Sequence, residues 1–252
     1  MSVPASLQFG VGKMAWAALL DAVFPPHCAG CSEWCREPFC RFCLPKLKAI
    51  SAPLCEKCGI PFDPLSFPAS ICSRCRARQP HFLAARAGFD FEGPVREAIH
   101  DLKYHEKTAL APRLAPFLAA TLRDDPVLRD LNPDFIMAVP LHRRRLKSRG
   151  YNQSFLLARE LGLILELPLV DVVERIRDTP PQVKLKREDR AKNIRDAFQV
   201  DLGAFQKIGG KSRRFLLVDD VLTTGATLDE ITRVLRKAGA GEVGAVTLAR
   251  VR

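Results

Sequence analysis

Long apolar runs are the first thing this 252-residue sequence lacks. No segment approaches the roughly 20 apolar residues that span a bilayer, so no membrane span is expected. The nearest candidate, Met14-Ala15-Trp16-Ala17-Ala18-Leu19-Leu20 behind Lys13, is interrupted by Asp21 and followed by Pro25-Pro26 without a convincing cleavage site. It reads as an amphipathic N-terminal helix within residues 1–26 that docks on a folded body, and the cytoplasm is the default compartment. An excess of acid is lacking too: 39 Lys and Arg against 28 Asp and Glu leave a net charge of +11 and a pI near 9.4. That balance favours polyanionic partners such as phosphorylated sugars, nucleotides or nucleic acid, although diffuse surface charge gives the same total. Aromatic residues are missing from the basic stretches 143–149 and 184–195, which weighs against a platform for stacked bases. Cysteine is absent beyond Cys75. What remains, 47% hydrophobic and 27% charged residues, is the composition of a soluble globular chain with room for one large or two modest domains.

All nine cysteines lie between Cys28 and Cys75, and eight form CxxC pairs: Cys28/Cys31, Cys40/Cys43, Cys55/Cys58 and Cys72/Cys75. A CxxC knuckle puts two thiolates on one face of a tight turn, and two knuckles close a tetrahedral zinc site. Sequential pairing gives two sites, with interleaved pairing and disulfides as alternatives; nothing suggests export, which favours metal. Gly30 and Gly59 fall where a knuckle turn tolerates positive φ. Four ligands per metal leave no open coordination position, so these zinc ions are expected to be structural. Cys35 is left over, as a free thiol or as a substitute member of the first quartet.

The stretch around which the rest is organised is Phe215-Leu216-Leu217-Val218-Asp219-Asp220-Val221-Leu222-Thr223-Thr224-Gly225-Ala226-Thr227. An apolar strand delivers two carboxylates, then a Thr/Gly loop, then a helix whose Leu228, Ile231 and Leu235 repeat at helical spacing. Thr227 and Glu230 are spaced as a capping box. The helix N-terminus aims free N–H groups and a positive dipole end at the loop, as a phosphate requires. Asp219 and Asp220 at the carboxyl end of the strand suit ribose hydroxyls or magnesium-bound water.

Two further stretches carry charge for a reason. Phe135-Ile136-Met137-Ala138-Val139 reads as a buried strand and runs into His142-Arg143-Arg144-Arg145-Leu146-Lys147-Ser148-Arg149, before Gly150-Tyr151-Asn152-Gln153 enters a helix. Arginine there suits phosphate through its planar, multi-donor head, and nucleic-acid backbone is the competing use. A strand is expected over Leu169 to Val173, followed by a polar, charged loop from Thr179 to Asn193.

At Asp219 to Thr227 the chain resembles the type I phosphoribosyltransferases, whose signature is an apolar strand, two acids, two further residues and a Thr/Gly loop. The resemblance implies that Asp219 and Asp220 hold the ribose hydroxyls of magnesium-bound phosphoribosyl pyrophosphate. It gives the 5′-phosphate to the loop after Val221, that is Thr223, Thr224, Gly225, Ala226 and Thr227. It gives the diphosphate to Leu141, Arg143 and Arg149, offers Lys103 and Tyr104 for a hood over the acceptor, and lets a loop bearing Arg187 and Arg190 close over the leaving group. Asp219, Asp220, Arg187 and Arg190 would then carry catalysis. Enzymes of this kind acting on 6-oxopurines have an aspartate where Thr223 stands; threonine is no general base at neutral pH, so hypoxanthine or guanine salvage is not expected.

Taken with the knuckles, Arg149-Gly150-Tyr151-Asn152-Gln153 and the stretch Gln182 to Asn193, the chain from Phe24 onward is similar to the ComF family. That family is named for competence and DNA uptake and joins a double zinc ribbon to a phosphoribosyltransferase domain. With the N-terminal helix expected over 1–26, the resemblance implies a double zinc ribbon over 27–80 and an α/β phosphoribosyltransferase fold over 81–252, its twisted, mostly parallel sheet carrying a hood. The expected function is phosphoribosyl pyrophosphate binding linked to DNA uptake, with transfer to an unknown acceptor. The alternatives are a single-stranded DNA-binding factor, with a DNA-uptake helicase as partner, and a zinc-ribbon adaptor with a vestigial pocket.

Overall fold

The computed structural model describes residues 26–63, 70–179 and 194–252. The expected N-terminal helix and most of the charged loop, Arg187 and Arg190 included, lie outside the described residues.

Strands β1 (Ala85–Asp90), β2 (Phe135–Ala138), β5 (Phe215–Leu222) and β6 (Val243–Arg250) form a parallel sheet in the order β1-β6-β5-β2. A sheet covered on both faces needs apolar residues at successive positions rather than alternating ones, and all eight residues of β6 are buried. On one face Leu216, Val218, Val246 and Leu248 meet α2 (Gly93–Tyr104), α3 (Leu110–Asp124) and α6 (Gln153–Leu165). On the other, Phe215, Leu217, Val243 and Ala245 meet Leu228, Ile231 and Leu235 of α8 (Ala226–Lys237). The α/β expectation holds.

Short elements complete the body: α1 (Ser73–Ala77), α4 (Pro126–Leu131), α5 (Arg143–Arg149) and α7 (Leu202–Lys207). The strand expected over Leu169 to Val173 is different. Leu169 makes a single bridge to Ile136, and the strand proper is β3 (Val173–Arg175), antiparallel to β4 (Phe198–Val200). An apolar run at the sheet edge is thus split between two sheets.

The cysteine region does not stand apart. Cys28, Cys40 and Cys43 are buried in the core that includes α2 and α3, and Cys55, Cys58 and Cys75 in the core under α8. The two glycines of this region differ. Gly59 has φ +65°, as expected, but Gly30 does not need positive φ. A Cβ on Gly30 would come within 2.5 Å of Pro94 Cβ, so glycine there permits close approach to α2.

Candidate functional site

The eight paired cysteines gather into two quartets, Cys28 with Cys31, Cys40 and Cys43, and Cys55 with Cys58, Cys72 and Cys75, each with its sulfurs within 4.8 Å of one another. Zinc–sulfur bonds of about 2.3 Å in a tetrahedron require sulfur–sulfur edges near 3.8 Å. Cys31 and Cys40 are 3.7 Å apart and Cys58 and Cys72 are 3.8 Å apart, so both donor sets fit a structural zinc ion. Cys35 belongs to neither quartet. In each quartet one thiol is primed to ionise. Burial raises the pKa of Cys28, but backbone N–H groups of Cys40 and Gly30 outweigh it and bring the value to about 6. Cys55 is brought to about 7 in the same way, with Cys72 N–H the leading donor. Burial and neighbouring thiols push Cys43 and Cys75 up.

The acidic pair lies at the carboxyl end of β5, in a cleft of about 240 Å³. Asp220 is buried and held from two sides: Lys103 Nζ lies 2.6 Å from Oδ1, and Gln153 Nε2 donates to Oδ2 at 2.5 Å. Asp219 is partly exposed, and both of its hydrogen bonds from described residues go to Oδ1, from Ser154 Oγ at 2.7 Å and from Asp220 N–H at 2.9 Å. Desolvation, then the charge of Asp220, push Asp219 up to about 7, against Lys103 and the Ser154 hydroxyl. In the sequence Gln153 stands out only as part of the Arg149 to Gln153 motif, and Ser154 not at all, because the carboxylates they meet are more than sixty residues away.

The segment after β2 shows why Gly150-Tyr151-Asn152-Gln153 stands where it does. Asn152 caps α6, accepting from Ser154 N–H at 3.0 Å, and its Nδ2 donates to Val139 O at 3.0 Å. Tyr151 donates to Leu102 O at 2.6 Å, tying the end of α2 to this turn. Arg149 donates to Gln153 Oε1 and lies over the Tyr104 ring at 5.2 Å. Leu141, Arg149, Lys103 and Tyr104 all line the cleft. Arg143 does not: it is exposed, with Nη2 3.5 Å from Glu174. The segment is the helix α5 rather than an open loop, and two positions along a helix turn a side chain by about 200°. Arg145 takes that place in the cleft.

A further residue that the sequence did not mark is Arg175. Its side chain is buried in the cleft wall, donates to Thr179 Oγ1 and leaves Nε without a hydrogen-bond partner among the described residues. Arg145 donates to Thr179 O at 2.5 Å, so one threonine steadies both guanidinium groups. Burial first, and Arg145 second, lower Arg175 to about 10, against Asp219 and Asp178, and it stays cationic at neutral pH. An arginine in a three-residue strand carries no periodic signal.

The end of β5 and the loop after it divide. Val221, Thr223, Gly225 and Thr227 line the cleft, whereas Thr224 and Ala226 line a separate cavity that also includes Gly225. The capping box is not formed. Gly225, at φ +81°, occupies the cap position, and no side chain caps α8. Glu230 instead accepts from Asp196 N–H at 2.7 Å and from Arg233. Ala226 N–H, the first amide of α8, donates to Thr224 Oγ1 at 3.4 Å, and the positive dipole end of the helix still faces the loop. His100, Asp101 and His105, for which the sequence suggests no metal pattern, come within 4.8 Å of one another, but Lys107 already occupies Asp101 at 2.7 Å. No helix of the described residues is long and apolar enough to cross a membrane.

Comparison with known proteins agrees with this layout. Residues 19–76 match the double zinc ribbon domain family and residues 151–252 the phosphoribosyl transferase domain family. Competence protein F of Haemophilus influenzae is 34% identical over 226 residues, 89% of this chain and 95% of that protein. DNA utilization protein YhgH of Escherichia coli is 33% identical over 199 residues, 78% of this chain and 84% of that protein. More distantly, Competence protein ComFC of Bacillus subtilis is 26% identical over 226 residues, 85% of each chain.

Proposed function

The chain belongs to the ComF family, which joins a double zinc ribbon to a phosphoribosyltransferase domain, and from that premise we propose that its cleft binds magnesium-phosphoribosyl pyrophosphate and transfers the phosphoribosyl group to a nitrogen acceptor. The observation that carries this is the division of charge in one cleft: the carboxylates of Asp219 and Asp220 on one wall, and Lys103, Arg145, Arg149 and Arg175 facing the same space. Asp219 and Asp220 take the ribose hydroxyls. Thr223, Gly225, Thr227 and the positive N-terminal end of α8 take the 5′-phosphate, with Thr224 and Ala226 supporting the loop from behind. Leu141, Arg145, Arg149 and Arg175 surround the diphosphate, and Arg187 and Arg190 are assigned to the leaving group. As the acceptor nitrogen bonds C1, the C1–oxygen bond to pyrophosphate breaks and the acceptor's proton passes to water. The arginines stabilise the charge leaving with pyrophosphate, and no nucleophilic side chain is needed. Asp219 Oδ2, which no described residue engages, is the oxygen suited to magnesium-bound water, the metal supplying further charge neutralisation when it arrives with the substrate phosphates.

The relatives' names support a place in DNA uptake or utilization, and a DNA-uptake helicase remains the partner that the family resemblance suggests. A second reading, direct binding of single-stranded DNA, is favoured by the first ribbon. It exposes Trp34 by 64% and Phe42 by 65%, with Arg41 4.8 Å over the Phe42 ring. Exposed rings beside cations are what base stacking requires. Binding by this mode weakens steeply as salt rises.

Calorimetry with phosphoribosyl pyrophosphate and magnesium tests the main reading. The Asp219→Ala/Asp220→Ala variant is expected to lose at least tenfold in affinity, about 1.4 kcal/mol. Unchanged affinity in that variant, with both zinc ions retained, overturns the site.

A further inference from the structure

Behind the phosphate loop lies a second cavity of about 320 Å³, as large as the smallest small-molecule sites, which begin at about 300 Å³. It is built by three distant parts of the chain: the second ribbon, with Cys58 and Cys75 of its quartet, and its exit to Phe82; Ile194 and Arg195; and the phosphate loop with the first turn of α8. Pro80, Phe82 and Ile194 make an apolar wall. Its acids are already engaged. Asp229 Oδ1 accepts from His81 N–H at 2.6 Å and lies 2.8 Å from the His81 ring, and Glu230 holds Arg233 and Asp196 N–H.

The cations are not so well served. Arg74 Nη1 is buried with no hydrogen-bond partner among the described residues. Arg78 lies 3.8 Å from Asp229, and Arg195 3.9 Å from Asp196, both at the limit of ion pairing. Leaving a buried guanidinium N–H unpaired costs about 1–3 kcal/mol, which an anion placed against it would recover. An apolar wall that includes one ring, Phe82, in the same cavity as three under-paired guanidinium groups fits a planar ring that carries a phosphate. We propose that this cavity is a second ligand site, for a nucleoside monophosphate, with the base against Pro80 and Phe82 and the phosphate between Arg74, Arg78 and Arg195.

The proposal does not depend on what the cleft binds, and the test separates the two sites. The Arg78 and Arg195 side chains are 69% and 81% exposed, so reversing either charge leaves the fold intact. Adenosine 5′-monophosphate is titrated into the full-length, zinc-loaded protein by calorimetry. Arg78→Glu and Arg195→Glu are each expected to lower affinity at least fivefold, whereas Asp219→Ala/Asp220→Ala changes it less than twofold. Binding lost only in the aspartate variant puts the nucleotide in the cleft and overturns this proposal while favouring the cleft reading. Wild-type affinity in both arginine variants, or no saturable binding by the wild type at millimolar nucleotide, also overturns it.

Discussion

The two ribbons are held by the same device on different foundations. Arg113 of α3 reaches out to the first ribbon and donates to the carbonyls of His27, Cys35, Arg36 and Glu37. Arg86 of β1 does this for the second, donating to the carbonyls of Cys55, Glu56 and Lys57 and to its own neighbour Ala85. The foundations differ in burial and in what lies beyond them. Arg113 is a partly exposed helix residue, whereas Arg86 is buried within the sheet and paired with Asp125. A second buried arginine, Arg250 of β6, donates to Cys58 O at 2.7 Å, and its strand position lies beside Leu222 of β5, two residues past Asp220. The first ribbon is docked on helices. The second is built into the sheet that presents the acidic pair.

This difference can be tested from its largest effect to its smallest. Arg86→Leu leaves the Asp125 carboxylate and several carbonyls without their partner, and is expected to cost about 3–5 kcal/mol in urea unfolding. Arg113→Leu, whose carbonyls can turn to water, is expected to cost about 1–2 kcal/mol. Equal losses break the comparison. Next, Cys55→Ser and Cys28→Ser each remove the primed thiol of one quartet and should each release one zinc ion per chain, measured by a colorimetric chelator. Only the first is expected to weaken phosphoribosyl pyrophosphate binding, by threefold or more, because only the second ribbon shares a core with α8, the helix behind the phosphate loop.

The smallest expected effect concerns Asp219. Its folded pKa of about 7 lies above the unfolded value of about 3.9, so the native state holds the proton longer. Stability therefore falls as pH rises between those values. Asp219→Asn should match the wild type near pH 4 and exceed it at pH 8 by about 1–2 kcal/mol, the cleft's water and Lys103 screening the remainder. A constant difference across that range would show that the carboxylate is ionised throughout and that the cleft is wetter than its packing indicates.

Much of this layout could be read along the chain. The CxxC spacing, the apolar strand ending in Asp219 and Asp220, and the helical repeat of Leu228, Ile231 and Leu235 each involve residues within a few turns of one another, so composition and period report them directly. Arg113 and Arg86 carry no such mark, because the carbonyls they collect lie some thirty to eighty residues away. Arg143 and Arg145 look equivalent in a basic run, and only the direction of α5 sends one to solvent and the other to the cleft. Thr227 and Glu230 satisfy a local rule that the fold sets aside, since Glu230 is needed to hold Asp196 N–H.

By itself, then, the sequence determined the element types, the two cysteine quartets as candidates and the place of the acidic pair. Those follow from hydrophobic period and short-range spacing. The tertiary structure decided which cations meet those acids, with Lys103 and Gln153 closing on Asp220 and Arg175 buried beside the cleft. It also decided that the second ribbon backs the phosphate loop and encloses a cavity with it. Side chains far apart in the chain become neighbours only when the sheet orders its strands and both faces are packed, and no local pattern encodes that order.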